Sequence, residues 1–388
     1  MGGRLPEATG NPIRELAFLF LKLGTVAFGG PAAHVAMMED EVVRRRRWLT
    51  REEFLDLFGA THLIPGPNST ELAIHIGHRR GGWTGLLVAG SCFILPAMVI
   101  VTVLAWAYVR FGTLPEVERL LYGVKPVVLV IIFQALLKLG RTALRSWRLG
   151  LVAAVAAGLT AVGCHELLIL LGTGLAVAAA RLGARAVSRG VGHRSLLLLP
   201  GLSWMPAATA STPFGLGALF LFFLKVGSVL FGSGYVLLAF LRADLVDRWH
   251  WLTETQLLDA VAIGQVTPGP LFTTATFIGY LLGGLPGALV ATAGIFLPAF
   301  VFVAVSGPLV PRLRQSALAG AFLDGVNTAS LALMAVVTLQ LAGAAFVSLF
   351  SLVLGAGAAF LLFRRGWSSI WLVLGGAVLG LLAGKVGL

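Results

Sequence analysis

FLFLKLGTVAFGG (residues 18–30) returns as LFFLKVGSVLFGS (221–233). The spacing is 203 residues. At the same spacing WLTREEFLD (48–56) returns as WLTETQLLD (251–259), and Pro65-Gly66-Pro67 returns as Pro268-Gly269-Pro270. One deletion then shortens the spacing to 202. There Gly77 matches Gly279, Gly82 matches Gly284, Leu95-Pro96-Ala97 matches Leu297-Pro298-Ala299, and Gly123-Val124 matches Gly325-Val326. Chance does not produce such a series. The chain reads as two related halves, 1–195 and 205–388, joined by a Pro-, Gly- and Ser-rich linker around His193–Pro213. Tandem repeats in apolar sequence are the mark of secondary transporters.

The composition agrees. Of 388 residues, 57% are hydrophobic and 12% charged, and the mean hydropathy is +0.91. Soluble domains carry about 25% charged residues, so a soluble fold and a disordered chain are both excluded. The apolar runs are long and continuous, unlike the alternating segments of roughly 10 residues in a membrane β-barrel. The expected class is an all-α polytopic membrane protein. Cys92 and Cys164 lie in apolar stretches without metal-ligand spacing, so neither a disulfide framework nor a zinc site is expected. The opening MGGRLPEATGNP is not followed by the short apolar core and cleavage site of a signal peptide.

A spanning helix takes about 20 apolar residues. Each half offers five such runs: 14–38, 83–110, 117–139, 149–164 and 165–181, then 214–240, 285–310, 317–341, 343–363 and 367–387. Alternating loops then place 19 of the 29 Lys and Arg on one side, 7 on the other and Lys22, Lys125 and Lys225 within spans. The basic side is cytoplasmic by the positive-inside rule, and both termini face out. The net charge of +12 is thereby explained by loops, without nucleic acid. Half two keeps the architecture but loses the basic residues: Arg79-Arg80 become Leu281-Leu282, and Lys138 and Arg141 become Gln340 and Gly343. Such stripping is expected when equivalent loops face opposite sides, so the repeats are inverted. Six spans per half in parallel repeats is the competing arrangement, and it leaves the stripping unexplained.

Two breaks recur in each half. Thr50-x-x-Glu53 and Thr253-x-x-Gln256 read as capping boxes. Each opens a helix that Pro-Gly-Pro stops about 12 residues later. A second arm runs from 67 to Arg79-Arg80. Arms of about 18 Å fit a re-entrant hairpin with Pro-Gly-Pro near the midplane; the second hairpin is 254–283. The first run is interrupted by Phe28-Gly29-Gly30-Pro31, and its copy by Phe231-Gly232-Ser233-Gly234. Non-helical backbone at membrane depth is tolerated only when buried or lining a wet cavity. The new helix N-termini after residues 30 and 67 bring partial positive charge and free N–H donors there, which is an anion-binding arrangement.

The candidate substrate-binding residues are therefore Lys22, Thr25, Gly29, Gly30, Pro65, Gly66, Pro67, Asn68 and Ser69. In half two they are Lys225, Ser228, Gly232, Ser233, Pro268, Gly269, Pro270 and Thr273. Lys22 and Lys225 are duplicated ionisable residues within a span, a functional hypothesis by default; snorkelling to an interface is the plainer alternative. Pro-Gly-Pro read blandly is a tight turn, and the glycine breaks are close helix packing. The hydroxyls either meet an oxyanion or cap helices. Asp56 and Asp259, also duplicated, read as partners for nearby arginines before proton carriers. Glu71, His75 and His78 share one helix face, but half two has no equivalent metal set. Glu166 and His165 read as a loop pair. No cofactor is expected, and lipid is the surrounding medium.

These motifs, in this order and duplicated, resemble the chromate ion transporter family in its long two-repeat form. The resemblance covers nearly the whole chain. It implies export of chromate across the cell inner membrane and chromate resistance, with sulfate as another substrate in some members. Half two departs from the pattern, since Gly30-Pro31 becomes Ser233-Gly234 and Asn68 loses its polar counterpart, so half one is expected to be the more polar in substrate contact. Sulfate or other oxyanion transport, an anion channel and an intramembrane enzyme are the competing functions; the last lacks a duplicated nucleophile or metal set. A homodimer is compatible with this class.

Overall fold

The computed structural model describes residues 11–28, 30–188, 213–231 and 234–386. The described residues form helices and turns, with no strand among them. Gly29, Gly232, Ser233 and most of the linker lie outside the described residues.

In half one, α1 (Pro12–Val26) and α2 (Pro31–Glu39) flank the first break, and residues 40–45 continue as a π-helical turn. Then come α3 (Arg51–Thr61), α4 (Asn68–Phe111), α5 (Pro115–Ala143), α6 (Trp147–Ala161) and α7 (Glu166–Ser188). Half two repeats the order with α8 (Leu216–Val229), the short α9 (Leu237–Phe240), a π-helical turn at 241–248, and α10 (Glu254–Val266). It continues with α11 (Thr274–Gln315), α12 (Ala317–Ala345), α13 (Leu349–Phe360) and α14 (Ser369–Val386). Both capping boxes are formed: the Thr50 and Thr253 hydroxyls accept from the N3 backbone while Glu53 and Gln256 reach back.

α4 and α11 each bend sharply. Gly82 and Gly284 have φ of 59° and 60° inside otherwise helical segments, a left-handed conformation that glycine adopts without a Cβ penalty. Beyond the bend the backbone of Gly85 lies against Gly77, and that of Gly287 against Gly279. The arm 68–80 thus runs back along the span 83–111. Arg79 meets Glu53 at 3.1 Å, joining the two ends of the hairpin at its base.

The first run departs from the expected geometry. Lys22 and Glu41 are 19 residues apart, about 28 Å along a straight helix, yet their charged atoms are 2.9 Å apart. In half two Lys225 and Asp244 are 2.5 Å apart, and Phe222 and Trp249 ring centroids 5.4 Å. The break therefore reverses the chain: α1–α2 and α8–α9 are hairpins, rather than interrupted helices that continue across. Each half has two hairpins entering from one end and then a run of apolar helices, of which α6 (15 residues) and α13 (12 residues) are the short ones. The reason is packing. Leu16, Phe20 and Leu23 of α1 and Met38 and Val42 after the break belong to one buried cluster with Phe93 of α4, and folding back lets both segments use it. A consequence is that Arg14 joins the basic end of the bundle, beside Arg80, which pairs with Glu15 at 2.6 Å. The start of α1 and the end of α14, whose Gly380 and Gly384 abut Arg119 at the start of α5, then lie at opposite ends of the bundle rather than on one side.

The halves are inverted and interlocked. Gly90 of α4 packs against Phe300 of α11, while the turn at Gly66 meets Ala299 and the turn at Gly269 meets Ala97. Ala97 and Ala299 sit near the middles of 83–111 and 285–315, so the hairpin tips meet at mid-depth, about 21 Å from either end. Outer helices are exchanged: α14 packs on α5, and α7 on α12. Gly123 abuts the backbone of Gly376 and Gly380, and Gly325 that of Gly174, the small-residue crossings expected between membrane helices. Outward faces are apolar. Trp83, Trp147, Leu175, Leu339 and Trp371 are exposed, an apolar surface far larger than a water-soluble monomer presents. Among the described residues five helices are long and apolar enough to cross a membrane.

Candidate functional site

The four tips are tied together across the halves by two backbone hydrogen bonds. Gly66 N–H donates to the Leu230 carbonyl at 2.8 Å, and Gly269 N–H donates to the Ala27 carbonyl at 3.0 Å. Leu230 is the repeat of Ala27, so the contact is reciprocal: the Pro-Gly-Pro turn of each half closes on the break of the other. Gly66 (φ 139°) and Gly269 (φ 90°) both occupy left-handed backbone, and this aims their N–H groups across the pseudo-twofold.

A cavity of about 220 Å³ opens beside these tips, far above the roughly 15 Å³ needed for one water. Its walls are Pro31 and Val35 of α2, Phe58 and His62 at the end of α3, Pro67, Asn68 and Ser69 opening α4, and Pro270–Phe272 from the other half. Among the described residues no carboxylate lines it. Three helix starts do: α2 begins at Pro31, α4 at Asn68 without a side-chain cap, and a 3₁₀ turn at Leu271. First-turn N–H groups have no intrahelical acceptor, so the lining carries unspent donors, and a helix N-terminus favours an anion. A smaller crevice adjoins it, lined by Gly30, Tyr235, Gln265, Thr267 and Gly269. Gln265 accepts from the Tyr235 hydroxyl at 3.3 Å, and its buried Nε2 has no partner.

Sequence reasoning missed His34, which is 1% exposed. Its Nε2 lies 3.0 Å from the Ala27 carbonyl and its Nδ1 3.3 Å from Ser69 Oγ. A carbonyl only accepts, so Nε2 carries the proton. In the neutral ring Nδ1 then accepts from the Ser69 hydroxyl. The ring thus locks the first break to the start of α4. His62 and Gln265 were also missed, although both stand three residues before Pro-Gly-Pro; that duplicated polarity at one register was the available signal.

The structure brings together Gly30, Pro67, Asn68, Ser69, Gly269 and Pro270, with Pro65, Gly66 and Pro268 in the turns themselves. It does not bring the lysines to the cavity. Lys22 is held by Glu41, and Lys225 by Asp244. Arg45 and Arg46 also reach Glu41, at 3.4 and 3.3 Å. Arg248 joins Asp244 to Glu166 of the other half, the latter at 3.0 Å, so the Glu166–His165 loop pair is part of a larger network. The Lys225 cluster balances, with Lys225 and Arg248 against Asp244 and Glu166, whereas the Lys22 cluster, with Arg45 and Arg46, keeps an excess of cations over Glu41 and Asp40; Lys22, Glu41 and Arg45 recur in half two as Lys225, Asp244 and Arg248. Thr25, Ser228 and Thr273 donate to Leu21, Leu224 and Pro270 carbonyls in their own helices and turns. Asp259 pairs with Lys125 at 3.2 Å and accepts from the Tyr108 hydroxyl at 2.9 Å; its partner is a mid-span lysine, not an arginine. Among the described residues no group of three His, Cys, Asp or Glu is placed to hold a metal. His78 instead packs edge-on to Trp83.

The chromate transporter family matches twice, over residues 14–178 and 217–381. This chain belongs to the chromate transporter family. The two matches coincide with the two inverted halves. The chain is 33% identical over 385 residues to a chromate transport protein of Cupriavidus metallidurans, covering 98% of this chain and 96% of that one. It is 33% identical over 368 residues to a chromate transport protein of Pseudomonas aeruginosa, covering 92% and 88%. A shorter relative, the uncharacterized transporter YwrA of Bacillus subtilis, is 28% identical over 160 residues, which is 41% of this chain and 80% of its own length. No solved structure matches the chain. In this family member the repeated motifs are the hairpin tips, and two polar residues lining the cavity, Asn68 and Ser69, have the apolar counterparts Leu271 and Phe272.

Proposed function

We propose that the chain exports chromate across the cell inner membrane as a secondary transporter and so confers chromate resistance. The observation that carries this is the carboxylate-free cavity at mid-depth, enclosed by helix N-termini from both halves. Neutral N–H and side-chain donors replace the hydration shell of a tetrahedral dianion there, and Lys22 and Lys225 are held by Glu41 and Asp244 away from it. The named function of the full-length relatives supplies the anion. The Arg-rich end is taken as cytoplasmic. A dianion leaving a negative-inside cell then gains about 2.3 kcal/mol per charge per 100 mV, or roughly 4–5 kcal/mol in all. Alternating access is rocking of the tips about the two reciprocal hydrogen bonds, with the repeats 1–195 and 205–388 as the moving halves.

Counterflow in proteoliposomes tests the reading. Labelled chromate enters vesicles preloaded with chromate, and sulfate or molybdate outside competes according to selectivity. Absence of saturable chromate exchange, or flux that does not exchange, overturns it. In the same assay Asn68→Leu, which installs the half-two residue of Leu271, weakens chromate binding. Loss of one hydrogen bond to a charged group is worth about 1.5–3 kcal/mol, so the apparent affinity falls by roughly ten- to a hundredfold. An unchanged affinity removes Asn68 from the site.

A further inference from the structure

We infer that Glu71 is a proton-binding site, loaded and unloaded once per transport cycle, which makes the exporter a chromate/proton antiporter. The inference rests on the transport reading above and adds its coupling ion. Glu71 lies one turn into α4, behind the Pro-Gly-Pro turn and outside the cavity wall. It is 0% exposed, and neither carboxyl oxygen has a hydrogen-bond partner. One of those oxygens occupies the space that a Cβ on Gly66 would fill. The neighbouring cluster is Ile64, Ile74, Leu86, Ala299 and Val303. An ionised carboxylate in such surroundings has no protein donor or cation to compensate it, so this conformation holds the neutral acid.

The three intramembrane lysines are each paired with a carboxylate: Lys22 with Glu41, Lys225 with Asp244, and Lys125 with Asp259. Glu71 is left without a charge partner. The titratable groups on elements packed against α4 do not supply one. On α1, Glu15 is held by Arg80. On α2, His34 is committed to Ala27 and Ser69. Asp56 of α3 is exposed, and His62 is bonded to the Phe58 carbonyl. α10 brings Asp259, and α11 has no ionisable residue over 285–306. On α4 itself, His75 follows one turn later with its buried Nε2 unpartnered, a relay position toward the basic end. Half two has Thr274 at the repeat of Glu71, and its hydroxyl is satisfied by the Leu271 carbonyl. The site is therefore single per chain.

The step is a simple transfer. With the tips open to the outside, the carboxylate takes a proton from water. With Gly66 released from Leu230 and the tips open to the cytoplasm, the carboxylic acid returns it to water and chromate enters the cavity; chromate then leaves when the tips next open to the outside and the carboxylate takes up the next proton.

The test uses the full chain in proteoliposomes with internal pyranine. Two assays are run: chromate counterflow at equal pH, and net chromate flux driven by a pH gradient with the potential clamped by potassium and valinomycin. Wild type shows both, with an accompanying internal pH change. Glu71→Gln keeps counterflow within about twofold but loses gradient-driven flux and the pH change by at least tenfold. Gradient-driven flux in Glu71→Gln equal to wild type overturns the inference, as does a wild type indifferent to the gradient. A folded Glu71→Gln protein that has lost counterflow overturns it too. If Glu71→Gln does not fold, Glu71→Asp decides: its gradient-driven flux shifts in pH dependence, and an unshifted profile overturns the inference. Failure of chromate counterflow in wild type, with sulfate exchange intact, overturns the substrate reading alone, and the proton assays then run with sulfate.

Discussion

Chromate counterflow by Gly269→Ala falls by at least about 30-fold. Gly269 has φ of 90°, a conformation that costs a non-glycine residue about 1–3 kcal/mol. A Cβ there also meets Ala97 Cβ at 2.6 Å and the Gly24 carbonyl at 3.4 Å, and such overpacking costs another 1–3 kcal/mol or so. The smallest sum, about 2 kcal/mol, already corresponds to roughly 30-fold. The residue also donates the hydrogen bond to Ala27 that joins the halves, so the strain falls on the crossing itself. Gly163→Ala is the control. It has a similar φ of 81° in the α6–α7 turn, but no atom lies within 4 Å of the added methyl. That variant retains counterflow and loses only about 1 kcal/mol of stability. Equal transport by the two variants would show that the reciprocal turn contact is dispensable.

The second large effect is on stability. Lys125→Met lowers the thermal midpoint of the detergent-purified protein more than Asp259→Asn does, and Lys125→Met/Asp259→Asn recovers most of the loss. Asp259 has a 3% exposed side chain and Lys125 a 15% exposed one. Removing one partner of such a pair leaves an uncompensated buried charge, about 3–5 kcal/mol, whereas replacing both is often near neutral. The amide introduced by Asp259→Asn still accepts from the Tyr108 hydroxyl, so that single variant is the milder of the two. The pair joins half one to half two, and the repeat of Lys125 is Asn327. The effect is therefore confined to one side of the pseudo-twofold. Additive losses in the double variant would contradict a coupled pair.

Some of the site was legible before any coordinates. Pro-Gly-Pro, its duplication and the capping box before it located the hairpin arms, because proline and a satisfied N-terminus are local events. Charge stripping between equivalent loops revealed the inversion, because topology is written in one-dimensional charge counts. The fold-back at residues 27–30 was not legible. Gly-Gly-Pro signals a break but not the angle after it; Lys22 meeting Glu41 depends on where α1 and α2 find a common apolar surface on α4. For the same reason the lysines read as substrate ligands: their duplicated carboxylate partners, Glu41 and Asp244, sit in loop-like sequence beside arginines. His34 offered no signal either, since its half-two counterpart is Leu237 and its two hydrogen bonds are to residues 7 and 35 positions away.

The sequence by itself determined what is local or additive: an all-α membrane chain, two repeats of opposite orientation, the basic end, and the four places where helices must stop. Only the tertiary structure decided which tip closes on which. Gly66 bonds to Leu230 and Gly269 to Ala27, so the cavity is assembled from both halves. Helix breaks release N–H donors wherever they fall. The choice of partner depends on the antiparallel packing of α4 on α11, a long-range contact that no repeat of residue types records.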